Sequence, residues 1–282
     1  MNLLDCLLPE KACDALARGW SSRCLSVWCL VFPVMVQAQG GFSSLISPPR
    51  VETTLQPGRT TRLVLEVSQV GPAPGRLKVY TNDWKLNVQG GVDFSDDLLP
   101  GSCRPWVALE RRELQVPGNG KARFRYEISP PPDAPAAECR FAIMFEGLDP
   151  GAASGGGVSF PVAGRIGVIV YASMSGTLPE LKVIATTLSK DKPPLPLLRV
   201  ENTGAAHGRL TGLLSGTDAA GTRLEFTPAS LPILPGETRE VPLTANVEGS
   251  NRTQAVTYPV TIKGGLEWGG QRTPFEQTFA LP

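Results

Sequence analysis

Regular alternation of apolar and polar residues is the feature that most constrains the fold of this chain. It is clearest in Lys121–Ile128, where every second residue is apolar, and it recurs in Leu63–Val67 and Cys139–Phe145. Since neighbouring side chains of a strand point to opposite faces, this pattern predicts half-buried β-strands. The 30 glycines and 27 prolines, with only 19% charged residues, favour short strands and turns over long helices. The sequence therefore predicts an all-β protein.

A repeated segment predicts how the strands are organised. Val67–Leu77 and Val200–Leu210 share an initial valine, the same spacing of two glycines and a final Gly-Arg-Leu. Such a repeat indicates two copies of one architecture, and a β-sandwich needs about 100 residues. We expect two consecutive immunoglobulin-like antiparallel β-sandwich domains, in residues 39–174 and 178–282.

The first 38 residues have the pattern of an export signal. Arg18 and Arg23 precede an apolar run over residues 24–36, and Val36 and Ala38 fit the small residues of a signal peptidase site. The run is shorter than the roughly 20 residues that span a bilayer. A signal peptide of residues 1–38, with no membrane insertion after its cleavage, is therefore predicted. A retained membrane anchor is the alternative.

Cleavage would leave two of the six cysteines, Cys103 and Cys139. In an oxidising compartment a single pair predicts a disulfide bond, and two buried thiols are the alternative. A metal site is not expected, because His207 is the one histidine of the chain.

Charge and histidine content argue against several classes of function. The 27 basic and 26 acidic residues are scattered and leave a net charge of +1, which gives no pattern for binding nucleic acid. His207 lies in a predicted turn, where we interpret it as a surface residue, and no catalytic triad can be built on it. The sequence predicts neither an enzyme nor a cofactor.

One strand of the first domain is unusually apolar on one face. It follows the glycine-rich segment 151–157, and its even positions are apolar or glycine. These apolar positions are Val158, Phe160, Val162, Ile166, Val168 and Val170. Exposed at a sheet edge, such a strand is a template for a strand of another chain. The alternative is a central strand buried in its own core.

The first domain resembles the periplasmic pilus-assembly chaperones, the PapD-like family of the chaperone–usher systems. The similar segments are Pro48–Val51, Pro57-Gly58, Val67–Leu77, Leu114–Tyr126 and Val158–Tyr171. The second domain is more similar to general immunoglobulin or fibronectin-type modules.

The resemblance implies a periplasmic chaperone that binds pilin-like subunits, with an outer-membrane usher as a further partner. It implies that Arg50 and Arg165 anchor the subunit's C-terminal carboxylate, and that the six apolar residues above are donated to the subunit. Two guanidinium groups suit a carboxylate because they form charge-assisted hydrogen bonds. Solvated surface charge is the alternative for both arginines, and a structural or adhesive envelope module is the alternative for the whole chain.

Overall fold

The computed structural model describes residues 42–87, 90–149, 151–155, 158–162 and 164–281. The predicted signal peptide of residues 1–38 lies outside these ranges. Apart from one 3-10 turn at Arg104–Trp106, the regular structure of the described part is β-strand. None of the described residues forms a helix with the length and apolar character needed to cross a membrane.

The first half of the chain contributes twelve strands to the described structure. They are β1 (Ser44–Ser47), β2 (Arg50–Leu55), β3 (Thr61–Gln69), β4 (Gly75–Leu86), β5 (Val92–Ser95), β6 (Val107–Leu109), β7 (Glu113–Val116), β8 (Lys121–Ile128), β9 (Glu138–Gly147), β10 (Gly151–Gly155), β11 (Val158–Val162) and β12 (Arg165–Met174). One sheet has the order β1-β3-β8-β6. The facing sheet has the order β2-β12-β9-β4-β5, with β7 also paired to β4.

The two sheets of the first half enclose one apolar core. The alternation predicted for β8 is observed, since Phe124, Tyr126 and Ile128 are buried. Phe124 of β8 contacts Phe145 of β9 edge to face across the sandwich, with 5.4 Å between the ring centroids. Burial of such side chains contributes about 1.5–3 kcal/mol each to folding.

The second half adds nine strands to the described part. They are β13 (Leu181–Leu188), β14 (Pro196–Asn202), β15 (Gly208–Arg209), β16 (Thr211–Thr217), β17 (Arg223–Pro228), β18 (Pro232–Ile233), β19 (Thr238–Val247), β20 (Val260–Trp268) and β21 (Gln271–Phe279). Seven of them form one hydrogen-bonded path in the order β13-β14-β19-β17-β16-β20-β21, while β15 pairs with β18. This path surrounds a second core that includes Leu198, Phe226 and Leu243.

The predicted fold class, all-β with two immunoglobulin-like sandwiches, is confirmed. The first core draws on residues between Ile46 and Met174, and the second on residues between Leu181 and Phe279. The first copy of the repeated segment connects β3 to β4, and the second connects β14 to β16 through β15. In neither copy are the two longer strands paired with each other.

The apolar strand predicted from Val158 to Val170 is divided in the structure. β11 and β10 form a two-stranded hairpin of their own, and β12 begins after Gly164. β12 then lies inside the main sheet, between β9 and β2. The predicted continuous strand is therefore two strands with different partners.

Candidate functional site

The first part of β12 has a neighbouring strand on one side only. β12 pairs with β9 from Arg165 to Ser173, but its pairing with β2 begins at Ile169. Within the described residues, 165–168 therefore present a free sheet edge. An unpaired edge offers backbone N–H and C=O groups to another strand.

The free edge ends where β2 begins. Arg50, the first residue of β2, is paired with Ile169, and the two strands run parallel. The chain before β2 forms β1, which belongs to the opposite sheet. A foreign strand added along residues 165–168 would occupy the row of β2, and its end would meet Arg50.

Arg50 is half exposed and paired with an acidic neighbour. Its Nε lies 2.9 Å from Oε1 of Glu52, and each of the two side chains retains 50% of its exposure. Residues two apart on a strand point to the same face, so both side chains point out of the sandwich. Exposed pairs of this kind contribute only about 0.2–1 kcal/mol, and Arg50 can exchange its partner at little cost.

A histidine of the second domain reaches the same place. Nδ1 of His207 lies 2.5 Å from Oε2 of Glu138, and its Nε2 lies 3.6 Å from Oε1 of Glu52. The His207 side chain is only 9% exposed and that of Glu138 is fully buried. The sequence-based interpretation of His207 as a surface residue is wrong, because the turn that carries it packs against the first domain.

Backbone contacts reinforce this junction between the two domains. The N–H of Glu138 donates to the carbonyl of Ala205 at 2.9 Å, and the N–H of His207 donates to Oε2 of Glu138 at 3.1 Å. Oε1 of Glu138 is buried and has no hydrogen-bond partner among the described residues. Removing the partners of a buried carboxylate is costly, so we expect these contacts to hold the two domains in one relative geometry.

Aromatic rings pack at the junction between the two domains. Tyr171 of β12 stacks on His207 with 3.8 Å between centroids, and Trp84 of β4 meets Tyr171 edge to face at 5.3 Å. Burial raises the pKa of Tyr171, although the positive charges of Arg209, Arg140 and Arg50 act in the opposite direction. The Tyr171 hydroxyl is therefore a neutral group among the cleft's charges.

Arg209 is a second cationic group near Arg50. Its NH1 donates to the carbonyl of Ser230 at 2.9 Å, while its Nε is buried without a partner in the described part of the chain. Burial lowers the pKa of Arg209, and so does repulsion by Arg50, whereas the charge of Glu52 raises it. Arg209, Glu52, Glu138, Tyr171 and His207 line a cleft of about 390 Å³ between the domains.

Arg165, the second predicted anchor, lies away from this cleft. It pairs with Glu146 at the start of β12, four residues before the residue that faces Arg50. That spacing corresponds to about 13 Å along the strand. The structure does not bring Arg50 and Arg165 together, because they occupy opposite ends of the free edge.

The six predicted donor residues fall into three groups. Val168 and Val170 have no exposed surface and belong to the first domain's own core. Their side chains already pack inward, so their position does not support the donor role predicted for them. Ile166 is partly buried against the same core. Val158, Phe160 and Val162 lie on β11, and their side chains are outside what the structure describes.

The predicted disulfide is present between Cys103 and Cys139, whose Cα atoms are 5.3 Å apart. It ties the loop before β6 to the start of β9, next to Glu138. For a sequence separation of 36 residues, the chain-entropy relation gives about 4 kcal/mol of stabilisation. No group of three or more metal-ligating side chains occurs within the described residues.

Sequence reasoning found Arg50 but not Glu52, Glu138, Tyr171, His207 or Arg209. The spacing Arg50-x-Glu52 did carry a signal, because alternation places both on one face of a strand. The other four come from β9, β12 and the region of β15, and only the packing of the two domains brings them together.

No protein-family model matches the chain, and no curated protein matches it. Solved structures of fimbrial chaperones are similar to it. The YadV chaperone is 13% identical, with 84% of this chain and 100% of that chain covered, at a TM-score of 0.47. The structure of the Salmonella enterica SafA pilin in complex with the SafB chaperone is 16% identical, with 86% of this chain and 98% of that chain covered, at a TM-score of 0.44. The CsuC–CsuE chaperone and tip subunit complex of Acinetobacter baumannii is 13% identical, with 85% of this chain and 100% of that chain covered, at a TM-score of 0.43.

SafB is a chaperone in complex with a pilin, and CsuC–CsuE is a pre-assembly complex from a chaperone–usher pilus. At these identities the similarity extends to the fold alone. The functional conclusion therefore depends on this chain's own residues.

Proposed function

We propose that this protein is a periplasmic chaperone for pilin-like subunits and binds them by β-strand addition. The client strand pairs with the free edge of β12 at residues 165–168 and runs parallel to β12. Its C-terminal carboxylate then meets Arg50. The observation that carries this proposal is that the free edge and Arg50 lie in one row beside β12.

The second anchor in this proposal is Arg209 in place of Arg165. The charge of Arg50 lowers the pKa of Arg209 in addition to burial, and Nε of Arg209 is buried without a partner in the described chain. A client carboxylate between two guanidinium groups would gain charge-assisted hydrogen bonds in a partly desolvated cleft. It would also offset the repulsion between Arg50 and Arg209.

Apolar side chains donated by the chaperone supply the rest of the binding energy. Val158, Phe160 and Val162 on the β10–β11 hairpin, with Ile166 at the start of β12, are the candidates. A subunit that lacks one strand exposes part of its core, and covering that surface contributes about 25 cal/mol for each Å² removed from water. Binding of this kind caps the subunit and involves no chemical step.

Export by the signal peptide of residues 1–38 and delivery to an outer-membrane usher complete the proposal. Both follow from the sequence pattern and the family resemblance. The alternative function, a structural or adhesive envelope module, would need no client and no carboxylate anchor.

Co-expression with a pilin-like subunit from the same genome tests the proposal. We expect a soluble one-to-one complex by size-exclusion chromatography, which Arg50→Ala weakens by about 10-fold or more, because a hydrogen-bonded charge pair is worth roughly 1.5–3 kcal/mol. Arg59→Ala removes an exposed arginine outside the cleft and serves as the control.

Arg209→Gln should weaken the same complex, with its folding checked by circular dichroism. Absence of a complex, or an intact complex with Arg50→Ala, would show that the anchor has been assigned wrongly.

A further inference from the structure

The anchor arginine already holds a carboxylate in the unliganded protein. Oε1 of Glu52 lies 2.9 Å from Nε of Arg50. Because Glu52 and a client's C-terminus carry the same chemical group, they compete for one guanidinium. Glu52 stays within reach of Arg50, since residues two apart on β2 point to the same face.

Glu52 also has a second partner within reach. The same oxygen, Oε1, lies 3.6 Å from Nε2 of His207. The His207 ring is held in place by Glu138 at its other nitrogen and by stacking on Tyr171. Glu52 therefore stands between an arginine of the first domain and a histidine of the second.

We infer that Glu52 is a built-in competitor that sets how tightly Arg50 binds a client carboxylate, and that His207 takes up Glu52 when the client arrives. This inference rests on the proposed function, because it concerns the same anchor. Glu52 keeps a partner after its displacement from Arg50, because its Oε1 already lies 3.6 Å from Nε2 of His207.

The probe is a synthetic peptide that copies the C-terminal strand of the co-expressed pilin-like subunit. It is made with a free C-terminal carboxylate and, as a matched form, with a C-terminal amide. Binding to the full chain is measured by calorimetry at neutral pH for the wild type, Glu52→Gln, His207→Gln and Arg50→Ala.

We expect Glu52→Gln to bind the carboxylate peptide about two- to fivefold more tightly than the wild type, the range of an exposed ion pair. Binding of the amide peptide should not change. Glu66→Gln is the control, because it removes a similarly exposed carboxylate from a 2.6 Å pair with Lys121 outside the cleft. His207→Gln should weaken binding of the carboxylate peptide, because the displaced Glu52 then loses its second partner.

The outcomes separate the inference from the proposed function. If the wild type prefers the carboxylate peptide and Arg50→Ala abolishes that preference, but Glu52→Gln binds no more tightly, the competitor role is overturned. If the wild type binds both peptides equally, the anchor itself fails and the competitor role fails with it. Should His207→Gln not fold, the Glu52→Gln result decides alone.

Discussion

At the residue scale, carboxylates with different surroundings have different roles in this protein. Glu52 is half exposed and can change partner, whereas Glu138 is fully buried and joins the two domains. Asp218 is a third case, in the second domain. Its oxygens accept the backbone N–H groups of Ala220, Thr222 and Thr257 at 2.9–3.1 Å.

Asp218 predicts a pH dependence of stability. Burial raises its pKa, but the hydrogen bonds from Thr222, Thr257 and Ala220 together outweigh burial and leave the pKa below its ordinary value. A carboxyl whose pKa is lowered by folding stabilises the fold above its unfolded pKa of about 3.9, and this stabilisation is lost as the pH falls through the folded pKa.

Asp218→Asn should therefore lower the free energy of unfolding at neutral pH, by about 1–3 kcal/mol. The difference between variant and wild type should shrink in acid, as urea titrations at several pH values would measure. Asp191→Asn, at an exposed site in the same domain, should change little. An equal deficit at neutral pH and below the folded pKa would rule out this role of Asp218.

At the element scale, β12 combines two environments in one strand. Its later part lies between β9 and β2, while its first residues have β9 alone within the described structure. The N–H of Gly147 donates to the carbonyl of Gly164 on the β9 side, and the N–H of Ile169 donates to the carbonyl of Pro49 on the β2 side. Alternation along the strand places the N–H groups of Arg165 and Gly167 on the free side.

Arg165→Pro tests the use of that edge. Proline removes the free N–H, and the first position of a strand tolerates it. We expect the complex with the pilin-like subunit to weaken about fivefold, the effect of one hydrogen bond of roughly 1 kcal/mol. Arg165→Ala is the matched control, since it removes the charge and keeps the N–H. Equal affinities of the two variants would argue against strand addition at this edge.

Local patterns in the sequence predicted elements better than they predicted partners. Alternation identified β8 and the buried face of β9, because strand periodicity is a property of a few neighbouring residues. The same alternation joined Val158 to Val170 in one strand, since it cannot detect the change of partner at Gly164. Whether Val168 faces a client or its own core depends on the opposite sheet, which no local pattern contains.

At the scale of the whole molecule, the cleft exists because two sandwiches pack against each other. The repeated segment predicted both sandwiches. The pair Cys103–Cys139 was predicted because these are the two cysteines that remain after the predicted cleavage. It could not predict that His207 reaches Glu138 and Glu52, because these residues lie in different domains. Of the candidate site, the sequence therefore predicted Arg50 and the apolar strand that contains the free edge, but not the residues that the second domain contributes.

The structure of the complex with a pilin-like subunit is the most direct measurement of how this protein binds its client. We expect the subunit's last strand to pair in parallel with residues 165–168, with its terminal carboxylate against Arg50 and Glu52 turned toward His207. A subunit bound elsewhere, with residues 165–168 unpaired and the Arg50–Glu52 pair intact, would contradict strand addition at this edge.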